Sequence, residues 1–126
     1  MNNMQKNILV WGVVLLASCE YGYFYSYEMT NEAHFVISVE LSTIKGDFNY
    51  IIDKNETKIV LETEHGIESR NGPHFRDVSY ALKKCIVSRN DTVSKKIYLD
   101  NSSWEFVKMN NGKGIYRTTI KDDEFK

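Results

Sequence analysis

Proline occurs once in the 126-residue chain, at Pro73, and after Cys19 no apolar spacing near 3.6 residues is found. A helical domain is therefore not expected, because apolar residues recur near every second position instead. Charge of one sign is also lacking. Lys plus Arg number 16 against 17 Asp plus Glu, a net charge of −1, and a nucleic-acid surface needs a basic excess gathered on one face. The basic doublets Lys83-Lys84 and Lys95-Lys96 fall within expected strands, where lysine on a solvated edge or face discourages edge-to-edge pairing. No Gly-x-Ser-x-Gly elbow and no Gly-rich phosphate loop occur, and the acidic residues are scattered without a recognisable pair for glycoside chemistry. His34, His65 and His74 are the three histidines. His65 and His74 share a loop with Glu64 and Asp77, but they lack the close spacing of a metal site. Neither a metal nor another cofactor is expected, and an enzyme is not the favoured reading.

Long apolar runs are scarce as well. The one that exists, Ile8 to Leu16 interrupted by Gly12, follows Lys6 and leads through Ala17 and Ser18 to Cys19. It is too short for a membrane span, which takes about 20 apolar residues. A positive charge, a short apolar core and a small-residue exit instead describe a secretory signal. Leu16-Ala17-Ser18-Cys19 resembles the lipobox of bacterial lipoproteins. The resemblance implies cleavage between Ser18 and Cys19, with residues 1–18 as signal peptide and residues 19–126 as one domain anchored by acyl chains such as palmitate on Cys19. Lys6 leaves with the signal, so the mature chain carries 15 basic against 17 acidic residues, a net charge of −2. Lipid on Cys19 leaves Cys85 without a disulfide partner in the chain, and a buried, inert thiol is the expectation for it. Glu20 stands where aspartate would favour inner-membrane retention in enteric bacteria, so the outer membrane is the expected destination.

Behind the cysteine, Tyr21, Tyr23, Tyr25 and Tyr27 alternate in a strand that ends near Met29. Its aromatic row packs in a core or sheet, or else lies at lipid headgroups; the core is preferred because the row leads directly into a turn and a second strand. That second strand spans His34 to Thr43, with Phe35, Ile37, Val39 and Leu41 on one side. A third is marked by Phe48, Tyr50 and Ile52, and a fourth runs from Thr57 to Glu64 with Ile59 and Leu61 inward. His65 to Asp77, holding Gly66, Gly72 and Pro73, reads as a long loop crossing between strands or sheets. Strands follow at Tyr80 to Ser88 and Thr92 to Leu99, around an Asn90-Asp91 turn. The last hairpin runs from Trp104 to Met109 and back from Gly114 to Ile120 through Asn110-Asn111-Gly112-Lys113, a turn suited to positive φ. The charged tail Lys121 to Lys126 is expected to fray. Eight short strands indicate an all-β, antiparallel, Ig-like sandwich with Greek-key wiring.

Tyr25-Ser26-Tyr27-Glu28-Met29-Thr30-Asn31-Glu32, Asp53-Lys54-Asn55-Glu56-Thr57, the Gly72-Pro73 loop, Trp104-Glu105-Phe106 and Tyr116-Arg117-Thr118-Thr119-Ile120 with Asp122-Asp123 are similar to small Bacteroides-type lipoproteins. The resemblance implies a compact sandwich on a lipid anchor and brings no catalytic residues. Trp104 is a candidate sugar-stacking platform, although sharing a core face with Phe106 is the preferred account. Thr92 in Asp91-Thr92-Val93 resembles a Bacteroides-type O-glycosylation acceptor. Asn55-Glu56-Thr57, Asn90-Asp91-Thr92 and Asn101-Ser102-Ser103 fit the N-glycosylation pattern but here report polar turns. The expected role is a binding or structural module of the cell envelope with a protein or glycan partner. The alternative is an enzyme or accessory subunit acting on envelope or imported polysaccharide.

Overall fold

A computed structural model describes residues 22–65 and 72–126. Tyr21, the lipobox and part of the long loop lie outside them. Eight strands form two four-stranded sheets: β1 (Tyr23–Asn31), β2 (Ile37–Thr43), β3 (Gly46–Ile52), β4 (Thr57–His65), β5 (Leu82–Arg89), β6 (Thr92–Val93), β7 (Glu105–Lys108) and β8 (Lys113–Ile120). The first sheet has the order β4-β1-β8-β7 and the second β3-β2-β5-β6. The protein is an all-β sandwich. Its wiring places β1 and β2 in opposite sheets, whereas the immunoglobulin arrangement keeps its first two strands together. The connection from β4 to β5 does cross between sheets.

The aromatic row sets this arrangement. Tyr23, Tyr25, Tyr27 and Met29 all point into the core and are buried. β1 is an interior strand, antiparallel to β4 and parallel to β8 over eight residue pairs from Phe24–Lys113 to Asn31–Ile120. Tyr27 stacks on Tyr116 with ring centroids 4.6 Å apart and meets Trp104 edge-on at 5.7 Å. Phe106, Tyr25 and Phe75 also pack around Tyr116. Two of the hydroxyls also hold the crossing loop: Tyr116 accepts from the Arg76 N–H at 2.8 Å and donates to the Arg76 carbonyl at 3.0 Å. Tyr25 accepts from the His74 N–H at 3.4 Å. Gly114 makes room for the rings, because a Cβ there would lie 2.7 Å from the Phe106 ring.

At the far end of β1 stands Asn31, fully buried. Its amide donates to the carbonyls of Phe35 and Ile52, at 2.8 and 3.0 Å, while its oxygen accepts the Ala33 N–H at 2.9 Å. One side chain thus ties the crossing from β1 to β2 against the end of β3.

Alternation along β4 departs from the expected phase. The register with β1 shifts between Tyr27 and Glu28, which skips Val60. This bulge turns both Val60 and Leu61 inward and leaves Ile59 half exposed, since one extra residue reverses the faces beyond it. The turns follow their sequences closely. Asn55, Asn90, Asn111 and Gly112 have positive φ, so the Asn111-Gly112 pair forms the turn its chemistry favours. The expected β6 is much shorter than Thr92 to Leu99. Only Thr92 and Val93 pair with β5, because the chain then turns away to meet the carboxyl terminus.

Replacing Asn31 with Leu should lower stability by about 2–4 kcal/mol, because two buried carbonyls and one N–H lose partners together; a urea midpoint falling by less than a tenth would contradict this. Gly114→Ala should also destabilise, by about 1–3 kcal/mol, since the added methyl meets ring atoms on both sides; thermal melting reads it.

Candidate functional site

A polar cleft of about 590 Å³ opens where the ends of several elements converge beside the last strand. Arg117, Thr118 and Thr119 of β8 form one wall, and the short 3-10 turn Asn101–Ser103 with Trp104 forms another. Lys96, Glu32 and the 3-10 turn Asp122–Phe125 close the rest.

The carboxyl-terminal turn is not the frayed tail expected from its charges. Glu124 is buried and Phe125 packs edge-on against Phe35 at 5.3 Å. The Glu124 carboxylate accepts from the Tyr98 hydroxyl, from the Ser94 hydroxyl at 2.9 Å and from the Lys121 N–H at 2.8 Å. Its carbonyl accepts the Lys95 N–H at 2.8 Å. The Ser94 N–H still donates to the Val87 carbonyl of β5 at 2.7 Å, and from Lys95 onward these bonds hold the chain away from β5 and explain the shortened hairpin. Burial first, and the bond to Glu124 second, push the Tyr98 hydroxyl far above the ordinary tyrosine range, so Tyr98 stays a neutral donor.

Lys96 was expected on a solvated strand and is instead half-buried. Its ammonium donates to the Thr118 hydroxyl at 3.1 Å and the Thr119 carbonyl at 2.9 Å, and lies 5.1 Å from the centre of the Tyr98 ring. Burial lowers its pKa, while Glu124 opposes the shift. Thr118 passes the chain of bonds on to the Ser103 carbonyl at 2.6 Å. The Ser103 hydroxyl donates to the Ile97 carbonyl at 2.6 Å, an arrangement that holds a turn rather than readies a nucleophile. Outside this network, the cleft presents Glu32, Glu105 and Asp123 beside Arg117 and Lys121. Donors and acceptors of both charges suit a hydroxyl-rich or peptide ligand held by hydrogen bonds.

The residues singled out in the sequence do not converge here, apart from Trp104. Trp104 is only 7% exposed, and its ring nitrogen donates to the Tyr98 carbonyl at 2.7 Å. It fills the core under the cleft and offers no open face for sugar stacking. Thr92 is exposed beside the Asn90-Asp91 turn. Ser18 and Cys19 lie outside the described residues. Cys85 is free and half-buried rather than fully buried, and burial pushes its thiol up to about 12, which disfavours the thiolate. His65 packs edge-on against Tyr25 at 4.9 Å, while His74 is exposed. Among the described residues no group of three or more His, Cys, Asp or Glu could hold a metal ion. His34 pairs instead with Asp122, through its ring and its N–H, the latter at 2.8 Å. The sequence signal for the cleft was Glu124 three residues after Lys121, a spacing that lets a carboxylate reach back to a backbone N–H.

No family model, curated protein or solved structure matches the chain.

Asp122 is held below its ordinary pKa of 3.8 by the His34 N–H and then the His34 ring; Asp77 is held down by the Ser79 N–H and then its hydroxyl. With folded values below unfolded ones, their stabilisation is present above pH 3.8 and lost as pH falls through the folded values. The urea midpoint should therefore drop on acidification below that pH, and Asp122→Asn should make the drop shallower. An unchanged slope would remove Asp122 from the account.

Proposed function

We propose that this protein is a lipid-anchored module of the bacterial cell envelope that binds a protein or glycan partner. The observation that carries this reading is that the cleft lies at the far end of β1 from Tyr23, the strand end nearer in sequence to Cys19. Three residues separate Cys19 from the start of β1 at Tyr23, so an acylated Cys19 holds the sandwich against the bilayer. β1 then runs from Tyr23 to Asn31, a length of about 27 Å, and Glu32 of the cleft follows immediately. The Asn111-Gly112 turn sits at the anchored end, where the Gly112 carbonyl accepts the Phe24 N–H at 2.9 Å. The cleft thus faces away from the membrane, toward ligands in the surrounding compartment. Glu20 after the cysteine supports the outer membrane as destination. The exposed Thr92, one residue after Asp91, supports an O-glycan acceptor on a surface clear of the cleft.

Acyl chains on one cysteine suffice for this mode of attachment, because each buried methylene adds about 0.8 kcal/mol and two or three chains far exceed the marginal hold of one. Cys19→Ser should abolish incorporation of labelled palmitate and leave the unprocessed chain, while Cys85→Ser should change neither. Labelling that survives Cys19→Ser, or wild type recovered as a soluble periplasmic protein, would disprove the anchor.

A further inference from the structure

The four sheet edges are unequally protected against pairing with another chain. β6 and β7 are edges of only two and four residues, and β4 is interrupted by the Val60 bulge. Short strands and bulges are devices that prevent edge-to-edge association. β3 has neither. It runs seven residues, Gly46 to Ile52, is exposed along nearly its whole length, and contains one charge, Asp47.

The direction of its free backbone groups can be read from one contact. The Lys58 ammonium donates to the Ile51 carbonyl at 2.9 Å, so that carbonyl points away from β2. Antiparallel strands alternate, and so Asp47, Asn49 and Ile51 direct their N–H and C=O groups outward, while Phe48, Tyr50 and Ile52 bond to β2. Only registers that match outward residues to outward residues are open to a second strand. An antiparallel copy centred on Asp47 would oppose two carboxylates. One centred on Asn49 opposes none.

The Asn49 register is also complementary. It sets Asp47 against Ile51 of the second copy and Lys45 against its Asp53, twice over by symmetry. On the other face it sets Phe48 beside the second copy's Tyr50, at the closer, non-hydrogen-bonded positions where aromatic pairs stabilise sheets. Phe48 and Tyr50 already stack within one chain, at 6.4 Å, so pairing extends an existing row. The Asp47 N–H of the incoming strand then takes the Ile51 carbonyl that Lys58 occupies in the single chain.

We infer that the free β3 edge binds a second copy of this chain, as an antiparallel two-fold pair about Asn49 that joins two four-stranded sheets into one of eight strands. The inference is independent of the proposed anchor and cleft. The test is the mass of the purified full chain in solution over a wide concentration range. Wild type should reach twice its 14.7 kDa chain mass. Asn49→Pro should remain at the single-chain mass with its fold intact, because it removes an N–H that the single chain does not use. Asn49→Lys and Asn49→Asp should each be single alone, by like-charge opposition on the axis, and should pair when mixed. The matched pair also guards against loss of folding as the cause, since an unfolded chain does not regain a partner on mixing. A wild type that stays at single-chain mass throughout, Asn49 variants that pair as wild type does, or a mixture that stays single would overturn the inference.

Discussion

Burial of tyrosines at alternate positions of the first strand is the constraint on which the structure depends. A strand carrying Tyr23, Tyr25, Tyr27 and Met29 on one face is most stable with neighbours on both sides, and β4 and β8 supply them. The pairing of β8 with β1 joins strands about 90 residues apart in sequence. Contacts of such long sequence separation are slow to form. The buried tyrosines also bring hydroxyls into the core, and these find work there: Tyr25 and Tyr116 bind the backbone of the loop that changes sheets. Aromatic packing and loop placement are therefore one problem with one solution.

The polar counterpart is at the opposite end of the same strand. Asn31 closes the first crossing, and the Glu124 network closes the carboxyl terminus over residues 94–98. Asn31 is satisfied by backbone groups left over where strands stop, and Glu124 by one such N–H together with the hydroxyls of Ser94 and Tyr98. The cleft lies among these strand ends because the strand ends are where side chains, rather than ladders, define the surface.

Period-two alternation made most strands legible, and Asn-rich turns marked their ends; Asn55, Asn90 and Asn111 all adopt positive φ. Three features were hidden for physical reasons. The Val60 bulge leaves no local trace, because Ile59-Val60-Leu61 is apolar in either phase. The parallel pairing of β1 with β8 depends on chain ends far apart in sequence. The carboxyl-terminal turn carries acidic residues that suggest solvent, yet its Glu124 is buried by donors from Ser94 and Tyr98 that no local pattern reveals. Apart from the Lys121–Glu124 spacing, the cleft was hidden for the same reason, being assembled from four separate stretches of chain: Glu32, Lys96, 102–105 and 117–124.

The parallel ladder between the terminal strands has a mechanical consequence. In a chain held by residues before Tyr23 and pulled by residues after Ile120, tension enters β1 and β8 at opposite ends. Force then runs along both strands and shears their whole ladder at once, whereas a hairpin pulled from its open end unzips bond by bond. The clasp of Glu124 on Tyr98 and Ser94 lies in the path of that load, just beyond the ladder. A domain wired in this way resists extension along its long axis and transmits tugging at one end to the other as a stiff link.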